Sequence, residues 1–122
     1  MIKFKTKIPI YFGELLVLVN DDFNEALKIE KIIVDGDFSG CYGLAIATIH
    51  TKTNKTQFVI CLTTTPTHST IAHEALHTTH DILKSIAAQS DMDNDETTCY
   101  LLDWIIEQIY TGLKKYKVEV TI

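Results

Sequence analysis

The hydrophobic pattern of this chain changes period at Pro66, and that change limits the folds open to it. Before Pro66 the apolar residues alternate or come in short runs; after it they recur every third or fourth position. Near the N-terminus, Ile2, Phe4 and Ile8 share one face of an expected strand. Residues 15–20 form a short apolar run closed by Asn20-Asp21-Asp22. Residues 44–51 and 57–63 form two more, and the polar Lys52-Thr53-Asn54-Lys55 between them suits a hairpin turn. Residues 25–34 carry both patterns. Ala26, Ile29 and Ile33 stand near helical spacing, but Ile32-Ile33-Val34 is β-branched and ends at Asp35-Gly36, so the expectation is a turn and then a strand.

Beyond Pro66 the spacing predicts a helix over residues 70–89, with Ser69 or Thr67 able to cap it. Its apolar stripe is Ala72, Leu76, Leu83 and Ala87, broadened by Ile71, Ala75, Ile82 and Ile86. The polar stretch Ser90-Asp91-Met92-Asp93-Asn94 ends it. A second helix over residues 95–115 follows, with Leu101, Leu102, Ile105, Ile109 and Leu113 in its stripe, and residues 118–122 read as a last strand. The expected class is α+β: a mostly antiparallel N-terminal sheet packed on two C-terminal helices, as one domain over residues 1–122.

Composition narrows the function. Apolar residues are 46% of the chain, enough for a packed core. The formal net charge is −5 and all the positive charge is lysine, with no arginine and no basic stripe, which argues against nucleic-acid binding. No apolar run reaches the roughly 20 residues of a membrane span, and the N-terminus lacks the continuous apolar region of a signal peptide, so the expected location is the cytoplasm. Cys41, Cys61 and Cys99 are an odd count without a C-x-x-C pair, and are read as buried free thiols.

Chemistry concentrates in His73-Glu74-Ala75-Leu76-His77 on the first helix. Residues four apart share a helix face, so His73 and His77 present two imidazoles to one point, as a tetrahedral zinc ion requires. Glu74 is rotated about 100° from His73. It is poorly placed as a third ligand and well placed to take a proton from a water on the open side of the metal, the position of a general base. A catalytic zinc needs one more protein ligand. Glu96, 19 positions after His77, opens the second helix, and the polar loop before it permits an antiparallel return. His80 lies on nearly the same face as His77 and is the main rival; Asp81, Asp91, Asp93, Asp95 and Cys99 are weaker ones. Tyr42, between Gly40-Cys41 and Gly43, is a candidate for substrate contact.

With these residues in place, the chain resembles the gluzincin class of zinc metallopeptidases, in which a His-Glu-x-x-His helix is followed, about twenty residues on, by a glutamate ligand on another helix. The matching residues are His73, Glu74, His77 and Glu96, and the pattern spans roughly residues 40–106. The two helices also look like those of small proteins encoded by bacteriophages and prophages, which would place the chain in the host cytoplasm. The resemblance implies a minimal zincin-like domain, a bound Zn2+, and hydrolysis of a peptide or protein with Glu74 as base. It departs where many gluzincins carry an Asp that orients a zinc histidine: Tyr100 stands there, able to donate a hydrogen bond but unable to strengthen an imidazole as a carboxylate does. A chain this short leaves little room for a deep cleft, so a second copy or a partner protein is expected to complete one. The alternative is a non-catalytic zinc-binding protein of phage assembly or host modulation, with a closed four-ligand site.

Overall fold

A computed structural model describes residues 1–50, 52–86 and 95–122. In chain order the elements are β1 (Ile2–Lys7), β2 (Glu14–Val19), α1 (Phe23–Ile29), β3 (Gly43–Ile49), β4 (Thr56–Leu62), α2 (His68–Ser85) and α3 (Glu96–Lys115). The strands form one sheet in the order β1-β2-β4-β3. The outer pairs are antiparallel, but β2 and β4 run parallel at the centre, so the class is α+β with a mixed sheet. The expectation of a mostly antiparallel sheet holds for the two hairpin-like edges and fails at the middle. The reason is α1, which carries the chain back across the sheet between β2 and the β3–β4 hairpin.

The expected turn and strand over residues 25–34 is that helix. Asp22 caps it, its carboxylate accepting the Glu25 N–H at 3.0 Å, and Phe23, Ala26 and Leu27 are its buried residues. The β-branched run after it makes no strand; only Ile32 of that run is fully buried. The expected last strand over residues 118–122 is reduced to one bridge, between Thr121 and Thr67.

Sheet alternation builds two cores. In β2 and β4, Leu15, Val17, Val19, Phe58, Ile60 and Leu62 face α2 and α3. Leu16, Leu18, Val59 and Cys61 face α1, with Phe23, Ala26, Leu27 and Ile32. Strands covered on both faces read as continuous apolar runs, which is why β2 and β4 lack polar alternation. The edge strands alternate. In β1 the half-buried Ile2 and Phe4 face the α2–α3 side, and Lys3, Lys5 and Lys7 point to the other. In β3, Leu44 and Ile46 pack towards α1, while Gly43, Ala45 and Ala47 pair in register with Leu62, Ile60 and Phe58 and so face α2.

On α2 the buried residues are Ile71, Glu74, Ala75, Thr78, Thr79, Ile82 and Leu83. The stripe is therefore turned from the expected one: Ala72 and Leu76 are exposed, and the core side is lined partly by threonines that a hydrophobic count passes over. Both threonines are satisfied within the helix, Thr78 donating to the Glu74 carbonyl at 3.0 Å and Thr79 to the Ala75 carbonyl at 2.8 Å. On α3, Leu101, Ile105, Ile109 and Leu113 are buried as expected. No described helix is long and apolar enough to cross a membrane.

Gly112 lets α3 lie against β1. A Cβ there would overlap the Phe4 ring, which stacks on Tyr116 with centroids 6.0 Å apart. Helix propensity alone favours Gly112→Ala by about 1 kcal/mol. The packing predicts the opposite sign, a net loss of about 1–3 kcal/mol in chemical denaturation, typical of overpacking.

Candidate functional site

The N-terminus of α2 is fixed from several directions. The Thr67 hydroxyl caps it by accepting the Thr70 N–H at 3.1 Å. His68 Nδ1 and the Tyr110 hydroxyl are 2.6 Å apart, which ties the first turn to α3. The C-terminal segment adds Thr121 N–H to the Pro66 carbonyl and His68 N–H to the Thr121 carbonyl, both at 2.9 Å. The motif thus begins one turn beyond a firmly held helix start.

One turn of α2 brings the expected pair together. The Nε2 atoms of His73 and His77 stand 3.1 Å apart, with the rings edge to face at 74°. Two zinc–nitrogen bonds of about 2.0–2.1 Å at the tetrahedral angle hold their nitrogens about 3.3 Å apart, so this spacing fits a zinc ion bridging the pair. Glu74 lies inward of them. Its side chain is 8% exposed against 66% for His73, and its Oε1 is 3.7 Å from His73 Nε2. Burial raises the Glu74 pKa above the ordinary carboxylate value, with the neighbouring His73 and His77 pulling the other way. On the α1 face of the sheet, Cys61's own burial, with the Glu74 charge second, pushes its thiol up to about 12.

Glu74 can sit there because Gly43 has no side chain. A Cβ at Gly43 would stand 2.6 Å from Thr70 Cγ2 and 2.9 Å from Glu74 Cγ. Together with Ala45 and Ala47 it lets α2 close onto β3. A cleft of about 430 Å³ opens at this junction, walled by Cys41, Tyr42 and Gly43 on one side and by Thr70, His73 and Glu74 on the other. It continues past Glu74 as a recess of about 240 Å³ between Gly43, Leu44 and Ala45 of β3 and His77 and Asp81 of α2. The Asp81 carboxyl is raised above its ordinary value by burial, opposed by His77, Lys84 and His80.

The loop leading into the cleft wall is pinned to α1. Asn24 donates to Asp37 at 2.9 Å and accepts the Phe38 N–H at 3.1 Å, while the Ser39 hydroxyl donates to Asp37 at 2.6 Å. The Ser39 hydroxyl, the Ser39 N–H and Asn24 hold the Asp37 carboxyl down to about 2.

Tyr42 is exposed on the cleft wall, where the sequence suggested a substrate contact. Glu96 is the first residue of α3 and is exposed, about 140° round the helix from the buried Leu101. Leu76, expected to pack against the second helix and draw Glu96 in, is itself exposed. His80 is exposed on α2, and Tyr100 is exposed on α3. Among the described residues, no set of three His, Cys, Asp or Glu side chains converges. The loop expected to turn the chain back, residues 90–94, and the rivals Asp91 and Asp93 lie outside the described residues. Of the three cysteines only Cys61 is buried; Cys41 and Cys99 are exposed. The residues that sequence reasoning missed are Gly43, whose signal was its place at the start of an apolar run, and Asp81 as a wall of the recess rather than a ligand. Comparison with protein-family models, with curated proteins and with solved structures gave no match.

Two tests follow. A raised carboxylate pKa contributes stability that is full below the unfolded value and is lost as pH rises through the folded one. Metal-free Glu74→Gln should therefore be more stable than the parent at neutral pH, with the difference closing on acidification below about pH 4, as read by thermal melts across pH. Gly43→Ala should lose about 1–3 kcal/mol of stability through overpacking at Thr70 and Glu74. An unchanged melting temperature for that variant would contradict the close approach.

Proposed function

We propose that this chain is a zinc-dependent hydrolase acting on peptides, with His73 and His77 as ligands, Glu96 as the third ligand and Glu74 as the general base. The observation that carries the reading is the convergence of the two Nε2 atoms beside a buried carboxylate, along a groove that borders an edge strand. A site that only stabilises the fold has no use for a carboxylate desolvated next to the metal pair. What supports Glu96 in its part is availability. Its carboxylate makes no hydrogen bond or ion pair among the described residues, and it stands in a first helical turn, where negative charge is favoured.

The edge strand supports a peptide as substrate. Among the described residues β3 pairs only with β4, so its outer N–H and C=O groups have no neighbouring strand. Edges of this kind accept an extended peptide by β-addition. When bound, zinc would polarise the scissile carbonyl and bring the pKa of a water towards neutrality. Glu74, held under Gly43, takes the proton of the attacking water and passes it to the leaving amine. Tyr42 flanks the cleft, where its hydroxyl and ring can hold the substrate chain.

Metal analysis and peptide hydrolysis together test the reading. The protein should hold about one equivalent of zinc. His73→Ala and His77→Ala should lose it, and Glu74→Gln should keep it while losing hydrolysis. Glu96→Ala should weaken zinc binding beyond the roughly 10- to 100-fold typical of residues that only support a ligand. Zinc lost in His80→Ala but kept in Glu96→Ala would reassign the ligands to α2. Zinc bound by a wild-type protein that cleaves no peptide would favour the non-catalytic alternative.

A further inference from the structure

We propose that Asp81 determines specificity in this groove, and that the recess it lines takes a basic side chain of the peptide, on the N-terminal side of the bond to be cut. The inference rests on the peptidase reading and adds a substrate class to it. Glu74 divides the groove. The larger part, past Cys41, Tyr42, Ser69 and Thr70, has no charged side chain on its walls apart from the motif residues His73 and Glu74. The recess on the other side is bounded by Gly43, Leu44 and Ala45 of β3 and by Glu74, His77 and Asp81 of α2. Leu44 packs towards α1, so β3 offers the recess only backbone and a methyl group. Glu74 and His77 have their tasks, which leaves Asp81 as the side chain free to recognise a ligand.

Asp81 is half-buried, and its carboxylate makes no hydrogen bond or ion pair among the described residues. His77, His80 and Lys84 act on it through space without reaching ion-pair distance. A partly desolvated carboxylate is stabilised by a cation that brings its own hydrogen bonds, and Lys and Arg are the peptide side chains that do so. Direction follows from the strand. β3 runs from Gly43, against Thr70 and Glu74, to Ala45 in the Asp81 recess. A peptide added antiparallel, the more stable pairing, runs the opposite way and lays the residues before its scissile bond over Asp81.

The test is cleavage-site profiling of a randomised peptide library, paired with fluorescence anisotropy of labelled Lys and Ala peptides on zinc-loaded Glu74→Gln. Lys and Arg should be enriched before the cleaved bond. Asp81→Asn should abolish the enrichment, and Asp81→Lys should move it to Glu and Asp. In the binding arm the Lys peptide should bind about 10-fold more tightly than its Ala twin, a margin typical of one charge-assisted hydrogen bond, and Asp81→Asn should erase the margin. Cleavage without basic enrichment, or enrichment that survives Asp81→Asn, overturns the proposal and leaves the peptidase reading standing. Loss of zinc in Asp81→Asn, or equal loss on all peptides, also overturns it, because Asp81 would then be holding His77. If nothing is cleaved the peptidase reading fails, and the anisotropy margin alone decides whether Asp81 binds a basic group.

Discussion

The close approach of α2 to β3 is the constraint on which the rest of the site depends. It is made by omission: Gly43, Ala45 and Ala47 present almost no side chain to the helix. A larger residue at Gly43 would meet Thr70 and Glu74 directly. Because the helix comes this near, Glu74 is covered while the histidine next to it stays in solvent. One helix thereby presents an accessible histidine pair and a desolvated carboxylate within about one turn. Burying an ionisable group has a stability cost, and this fold bears it directly beside the histidine pair.

The two edges of the sheet are built differently, and the difference points the same way. β1 carries Lys3, Lys5 and Lys7 along one side, a device that discourages pairing with another chain. Lys3 also meets Glu30 at 3.2 Å at the end of α1. β3, Gly43–Ile49, carries no charge at all. A bare edge is a hazard unless something is meant to occupy it. Here it borders the groove lined by His73, Glu74 and His77, and an extended peptide is the occupant proposed for it. The central strands β2 and β4 hold both edges in place because each is packed on two faces.

Much of this was legible before any coordinates. The switch of period at Pro66 located four strands and two helices, and the five residues from His73 to His77 marked the candidate site. What escaped has physical causes. The helix α1 is short, and its stability comes from the Asp22 cap and from burying Phe23, Ala26 and Leu27 rather than from a long stripe. The β-branched Ile32-Ile33-Val34 beyond it outweighed that local signal. The parallel pairing of β2 with β4 followed from the same omission, since a crossover helix is what lets neighbouring strands run parallel. On α2, Thr78 and Thr79 form part of the buried face through hydrogen bonds to their own helix, so the apolar stripe pointed to the wrong azimuth and made Leu76 look buried. Gly43 could not be weighted from sequence, because its importance lies in what stands opposite it.

The claim that most needs measurement is that the histidine pair holds zinc with an open, mixed coordination shell. X-ray absorption at the zinc edge of the metal-loaded wild-type protein reads this directly. The proposed site predicts two imidazole nitrogens at about 2.0–2.1 Å with the remaining positions filled by oxygen, including a carboxylate. A shell of water oxygens alone, or one containing sulfur from Cys41 or Cys99, would contradict it.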